Sequence, residues 1–223
     1  MCEVMPLGNC NALPLGNRKR GAVISIEGLI GCGKSTLVTN LCIKRNYVPF
    51  FEPVETNPYL EDYYKDPKRF AFTMQVHLLW ERYKMFQNAY YRSLQGEACV
   101  LDRSPQGDYA FALVQDMDGY FTKNEFATYQ NMNEILHSQM ASSDLMIWLD
   151  ISPKEVVERI KKRSRECECN IPLEYLEHLY KAYITIIGIL KKRTNVVIVD
   201  ARPDADTVLA NVEKVIDEEL FEA

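Results

Sequence analysis

The run GLIGCGKST, Gly28 to Thr36, constrains this chain more than any other stretch of it. Gly28, four free positions, then Gly33, Lys34 and Ser35 satisfy a phosphate-binding pattern that works only where a strand turns into a helix. Both flanks comply: an apolar run, Ala22 to Ile26, precedes the motif and a helical pattern, Leu37 to Ile43, follows it. The residue types follow from the chemistry. Glycines let the backbone from Gly28 through Leu29, Ile30, Gly31, Cys32 and Gly33 to Thr36 close its N–H groups around phosphate oxygens. The helix start adds its positive end, Lys34 neutralises charge and Ser35 can ligate Mg²⁺. A nucleoside triphosphate is the natural occupant of such a loop.

From Ala22 onward, short apolar runs alternate with helical stretches, the pattern of a parallel sheet covered by helices on both faces. The expected strands are Ala22–Glu27, Tyr47–Phe51, Ala98–Leu101, Leu145–Leu149 and Val196–Val199. The expected helices are Lys34–Lys44, Pro67–Leu94, Pro105–Gln115, Lys123–Ser142, Pro153–Arg165, Pro172–Arg193 and Pro203–Leu220. The fold class is therefore α/β, a five-stranded parallel sheet flanked by helices around a phosphate loop, with a short basic lid. With 223 residues, 47% of them hydrophobic, the chain has enough apolar surface for one domain, residues 21–223, behind a disordered leader, residues 1–20.

In such a sheet ligands sit at the carboxyl ends of the strands. The second strand ends at Glu52 and the third at Asp102 and Arg103, so carboxylates and an arginine arrive beside the triphosphate from separate strands. Phosphoryl transfer to a hydroxyl needs such a set. On the long helix, Gln75 and Arg82 fall on a stripe otherwise made of Phe72, Leu78, Leu79 and Phe86. Buried there, an amide and an arginine held by a carboxylate such as Asp108 would suit the edge of a nucleobase; at the margin of the stripe, Arg82 would instead reach water. Further on, Arg159, Lys161, Lys162, Arg163 and Arg165 form a basic stretch able to close over phosphates, or to serve as a solvated helix end.

Composition excludes other classes. A net charge of −5 argues against a general nucleic-acid or anionic-membrane binder. The seven cysteines show no zinc spacing, Cys167 and Cys169 being too close for a zinc hairpin. Their odd number without a secretory signal suggests reduced thiols. No apolar run approaches the length of a membrane span. The leader carries Glu3 and places its basic residues, Arg18 to Arg20, only at its end, unlike a mitochondrial transit peptide, so a cytoplasmic location is expected.

Taken in order, GLIGCGKST, FEPV at Phe51 to Val54, YKDPKRFAF at Tyr64 to Phe72, Gln75, LDRS at Leu101 to Ser104 and RSRECECNIPLEYL at Arg163 to Leu176 resemble the deoxynucleoside kinases. The likeness runs from Gly21 to the last helix. It implies ATP-dependent phosphorylation of a deoxyribonucleoside 5′-hydroxyl in nucleotide salvage, with ATP and Mg²⁺ bound and a homodimer formed. The aromatic residues along Tyr83 to Tyr91 permit such a dimer, or serve as core. By the same resemblance Glu52 is the general base, Arg103 contacts the 5′-oxygen and phosphate, Asp102 lies near Mg²⁺, and Gln75 reads the base. Tyr64 and Glu168 hold the sugar 3′-hydroxyl and crowd a ribose 2′-hydroxyl. Arg163 and Arg165 are lid arginines, and Arg159 stacks near the donor adenine.

Many animal members carry a tryptophan where this chain has Asn57, which makes it more similar to bacterial-type deoxyadenosine and deoxyguanosine kinases. Arg82 and Asp108 match the pair used by members that handle purines and deoxycytidine. Deoxyadenosine is favoured, then deoxyguanosine or deoxycytidine, and Phe111 is the candidate ring-packing aromatic. Two alternatives stay open: a nucleoside monophosphate kinase of the thymidylate type, which would need a further cationic site for its acceptor phosphate, and a non-catalytic phosphate-loop scaffold, which should have lost Lys34, Glu52 or Arg103.

Overall fold

Val23–Gly28 forms β1, buried at every position as a central parallel strand must be. The computed structural model describes residues 20–54, 56–163 and 171–221. In chain order the elements are β1, α1 (Lys34–Arg45), β2 (Val48–Phe50), α2 (Leu60–Lys65), α3 (Pro67–Ser93), β3 (Cys99–Asp102), α4 (Pro105–Met117), α5 (Lys123–Gln139), β4 (Leu145–Asp150), α6 (Pro153–Arg163), α7 (Leu173–Leu190), β5 (Val196–Asp200) and α8 (Ala205–Leu220). The five strands pair in the order β2-β3-β1-β4-β5, all parallel.

Alternation along β1 and β3 sorts the core. Ile24, Ile26 and Val100 cluster with Leu37, Val38 and Leu41 of α1, whereas Val23, Cys99 and Leu101 cluster with Met85, Phe86 and Ala89 of α3. Glu27 has the parity of Val23, and so points its carboxylate toward the helices on the α3 side. The helices begin where the chain signals them. Asp66 accepts from the Arg69 N–H ahead of Pro67, and Ser104 accepts from the Gly107 N–H ahead of Pro105.

The expected elements are all present with shifted ends: β2 is confined to three residues, α4 runs on to Met117 and α7 stops at Leu190. Among the described residues the additional helix is α2. Its N-cap, Tyr59, makes no side-chain cap and only Tyr63 of its residues is buried, so it has neither a start signal nor an apolar stripe. The aromatics of α3 divide: Phe86 is fully buried under Tyr90, while Trp80 stacks on Tyr83 and is half exposed, and Tyr91 is exposed. Within the described residues no helix is long and apolar enough to cross a membrane. The leader, except Arg20, lies outside the described residues.

Candidate active site

The phosphate loop needs its glycines for conformation as well as access. Gly28, Gly31 and Gly33 have φ of 155°, 80° and 107°. A Cβ on Gly28 would lie 2.6 Å from Cys32 Sγ, and one on Gly31 2.7 Å from Ile160 Cγ1. Lys34 is buried within the turn, its Nζ donating to the carbonyls of Leu29 at 2.7 Å and Gly28 at 3.2 Å. Burial, with the neighbouring Arg103 charge second, lowers its pKa. At the mouth, the exposed Ser35 hydroxyl donates to Asp102 Oδ2, and Asp102 Oδ1 is buried with no hydrogen-bond partner among the described residues. A hydroxyl beside a carboxylate with one oxygen unused is a donor set that suits Mg²⁺, which takes hard oxygens.

Beside the loop, Glu52 is bracketed by two buried arginines. Arg82 Nε donates to Glu52 Oε1 at 3.0 Å, and its Nη2 forms a second, shorter bond to the same oxygen. Arg103 Nε donates to Oε2 at 3.1 Å, and its Nη1 reaches the Gly28 carbonyl at 3.1 Å. One guanidinium thus touches both the carboxylate and the phosphate loop. Burial pushes the Glu52 carboxyl upward, but the charges of Arg82 and Arg103 outweigh it and hold the pKa below the ordinary 4.5. The ring of Phe111 lies under both guanidinia, its centroid 5.0 Å from Arg82 and 4.7 Å from Arg103.

Arg82 also binds Asp108, fully buried on α4, through Nη1. Asp108 Oδ2 accepts from the Tyr129 hydroxyl and, at 2.9 Å, from Gln75 Nε2. The expectation that Gln75 and Arg82 lie inside the stripe and that Asp108 holds the arginine therefore agrees with the geometry, each being 2% exposed or less. Tyr64 is half buried on α2. Arg159 joins α6 to the rest of the site by donating to the carbonyls of Cys32 at 3.2 Å, Ala201 at 2.9 Å and Arg202 at 3.1 Å. Arg165 and Glu168 lie outside the described residues, as does the side chain of Arg163.

Three further residues were not singled out from sequence: Tyr129, bound to Asp108, Tyr183, whose hydroxyl accepts from Arg103 Nη1, and Glu27, which accepts from Tyr183. Tyr129 and Tyr183 look like ordinary aromatic positions on α5 and α7. Glu27 did leave a signal, a carboxylate within a mostly apolar central strand, where a charge must have a purpose or a partner.

The chain is similar to known proteins along nearly all of its described length. It is 40% identical over 163 residues to the deoxyadenosine kinase of Dictyostelium discoideum, an alignment that covers 73% of this chain and 65% of that protein. It is 37% identical over 180 residues to the deoxyguanosine kinase of the same organism, covering 80% of this chain and 63% of the other. The matches thus span somewhat less than two thirds of these relatives' length. A solved structure of deoxyadenosine kinase from M. mycoides, with the products dCMP and a flexible dCDP bound, superposes with a TM-score of 0.78 at 33% identity, covering 88% of this chain and 98% of that one. The family model for deoxynucleoside kinase matches residues 24–220, and this chain belongs to that family.

Proposed function

We propose that this protein transfers the γ-phosphoryl group of ATP to the 5′-hydroxyl of a deoxyribonucleoside, with deoxyadenosine preferred and deoxyguanosine or deoxycytidine behind it. The observation that carries the reading is the ionised Glu52 held against the phosphate loop by Arg103, one guanidinium spanning both. The names of the two relatives, a deoxyadenosine kinase and a deoxyguanosine kinase, support purine substrates. The dCMP bound to the related deoxyadenosine kinase supports deoxycytidine as a further one.

In this reading Glu52 orients the 5′-hydroxyl and takes its proton as the new O–P bond forms. Lys34 and Arg103 spread the charge that develops on the transferring group, and Arg159 with the lid arginines closes the donor side. Ser35 and Asp102 would hold Mg²⁺, which when bound neutralises phosphate charge. Gln75, Arg82 and Asp108 read the base, and Tyr64 with Glu168 reads the sugar.

The test is the initial phosphorylation rate with MgATP against deoxyadenosine, deoxyguanosine, deoxycytidine, thymidine and deoxyadenosine monophosphate, for the protein and for Glu52→Gln. A preference for deoxyadenosine is expected, with kcat of the variant reduced at least about 100-fold and nucleoside binding within a few-fold. Turnover of the monophosphate alone would replace this reading with a monophosphate kinase. Retained turnover in Glu52→Gln would remove the base assignment.

A further inference from the structure

Arg103 has φ of 74°, in the left-handed region that side chains rarely adopt, and its guanidinium must present two faces at once. What holds it lies behind the site. Glu27, the last residue of β1 before Gly28, is 1% exposed. Its Oε1 accepts from the N–H of Ser104 at 2.8 Å and from the Ser104 hydroxyl at 2.7 Å. Its Oε2 accepts from the Tyr183 hydroxyl at 3.1 Å. That same phenol oxygen accepts from Arg103 Nη1 at 2.9 Å, and Nη1 itself lies 3.8 Å from Glu27 Oε2. Room for the carboxylate exists because residue 107 is glycine: a Cβ there would stand 2.3 Å from Glu27 Oε1. Burial raises the pKa of Glu27, with Arg103 and Ser104 opposing the rise.

We propose that Glu27 is the positioning residue for Arg103. Through Ser104 it fastens the left-handed turn, and through the Tyr183 phenol it sets the rotation of the guanidinium. Nη1 then reaches the phosphate loop while Nε faces Glu52. A carboxylate serving only to fill space would be a poor choice here, since burying a charge is unfavourable unless its bonds are used. Among the described residues, every hydrogen bond that Glu27 receives comes from Ser104 or Tyr183, the neighbours of Arg103 in sequence and in space. The polarity of the relay also requires an acceptor at this point. Tyr183 accepts from Arg103 and donates its own O–H to Glu27; an amide NH₂ in place of Oε2 would leave the phenol O–H without that acceptor and set donor against donor.

The inference rests on the role given to Arg103 above. Its test is a double-mutant cycle in the full chain: Glu27→Gln, Tyr183→Phe and Arg103→Lys, singly and in pairs. Each variant is assayed for kcat, for KM with deoxyadenosine and MgATP, and for Tm. Glu27→Gln should lower kcat about 10–100-fold and Tyr183→Phe about 10-fold, each with nucleoside KM within about threefold. Neither should lower kcat by more than about twofold once Arg103 is lysine, because the group they position is gone. Unchanged kcat in Tyr183→Phe, or an equal loss with Arg103 and with Lys at that position, would make Glu27 a packing element and overturn the inference. Should Glu27→Gln fail to fold, Tyr183→Phe with Arg103→Lys decides alone. A wild-type protein that phosphorylates no deoxynucleoside overturns the proposed function and this inference together, whereas normal wild-type turnover with a silent Tyr183→Phe overturns only the inference.

Discussion

Glu52 combines two opposed effects. Desolvation favours the acid and the two guanidinia favour the anion; the guanidinia prevail, so the carboxylate is charged and ready to accept a proton at any pH near neutral. With the folded value below 4.5, ionised Glu52 stabilises the fold above that pH, and the contribution is lost as pH falls through the lowered value. Replacing Arg82 by glutamine puts an amide N–H where Nε meets Glu52 but removes the charge, and with it the Nη1 donor to Asp108. The acid limb of kcat/KM should then move up by roughly 1–3 pH units, the range for loss of an adjacent opposite charge. A pH–rate profile of Arg82→Gln that superposes on the wild type would show that Arg103 alone sets the ionisation. Glu52, Arg82 and Arg103 were legible in the sequence because each breaks a pattern, a charge at a strand end or on an apolar stripe. The left-handed turn at Arg103 was not, since arginine ordinarily avoids it at a cost of about 1–2 kcal/mol.

At the level of elements, α5 shows how a helix remote from the phosphate loop serves the site. Thr122 caps it, accepting from the Glu125 N–H while Glu125 reaches back to the Thr122 N–H, and the helix then delivers Tyr129 to Asp108. Thr122→Ala should cost about 1 kcal/mol and lower Tm by roughly 2–4 °C. Deoxyadenosine KM should stay within about twofold, because the frayed first turn lies N-terminal to Tyr129. Thermal melts paired with KM check this, and a KM that rises with the loss of the cap would show that the whole helix shifts. Starts such as Asp66-Pro67, Ser104-Pro105 and Thr122 could be read in advance because capping chemistry is local. The short α2 could not, for it is held by tertiary contacts such as the bond from Gln115 to the Tyr63 hydroxyl. The same limit hid Tyr129 as a further partner of Asp108, because the register of α5 against α4 depends on packing across the fold.

Across the whole molecule, two neighbouring but separate sets of groups make up the proposed site. Ser35 and Asp102 belong to the strand-end side, and Gln75, Arg82, Asp108 and Tyr129 to the helical side. Chelation with EDTA should therefore abolish phosphoryl transfer while leaving the nucleoside-induced rise in Tm intact. Deoxyadenosine at about 100 times its Kd should stabilise by roughly 2.7 kcal/mol with or without chelator. Loss of that rise on chelation would place the metal in the nucleoside site. The sheet order β2-β3-β1-β4-β5 could be anticipated only as far as a parallel sheet with charged residues at its carboxyl end, since sequence patterns identify strands but not their neighbours. That order bears on how the chain is made. β1 leaves the ribosome first among the strands, yet both of its neighbours, β3 and β4, come much later, and the phenol that meets Glu27 follows it by 156 residues. At about 5–20 residues per second, the carboxylate of Glu27 is without Tyr183 for roughly 8–30 s, and for part of that time β1 has open edges, until β3 and then β4 follow. The nascent chain, more than the finished fold, is where this topology is exposed to aggregation, and where shielding of β1 would matter most.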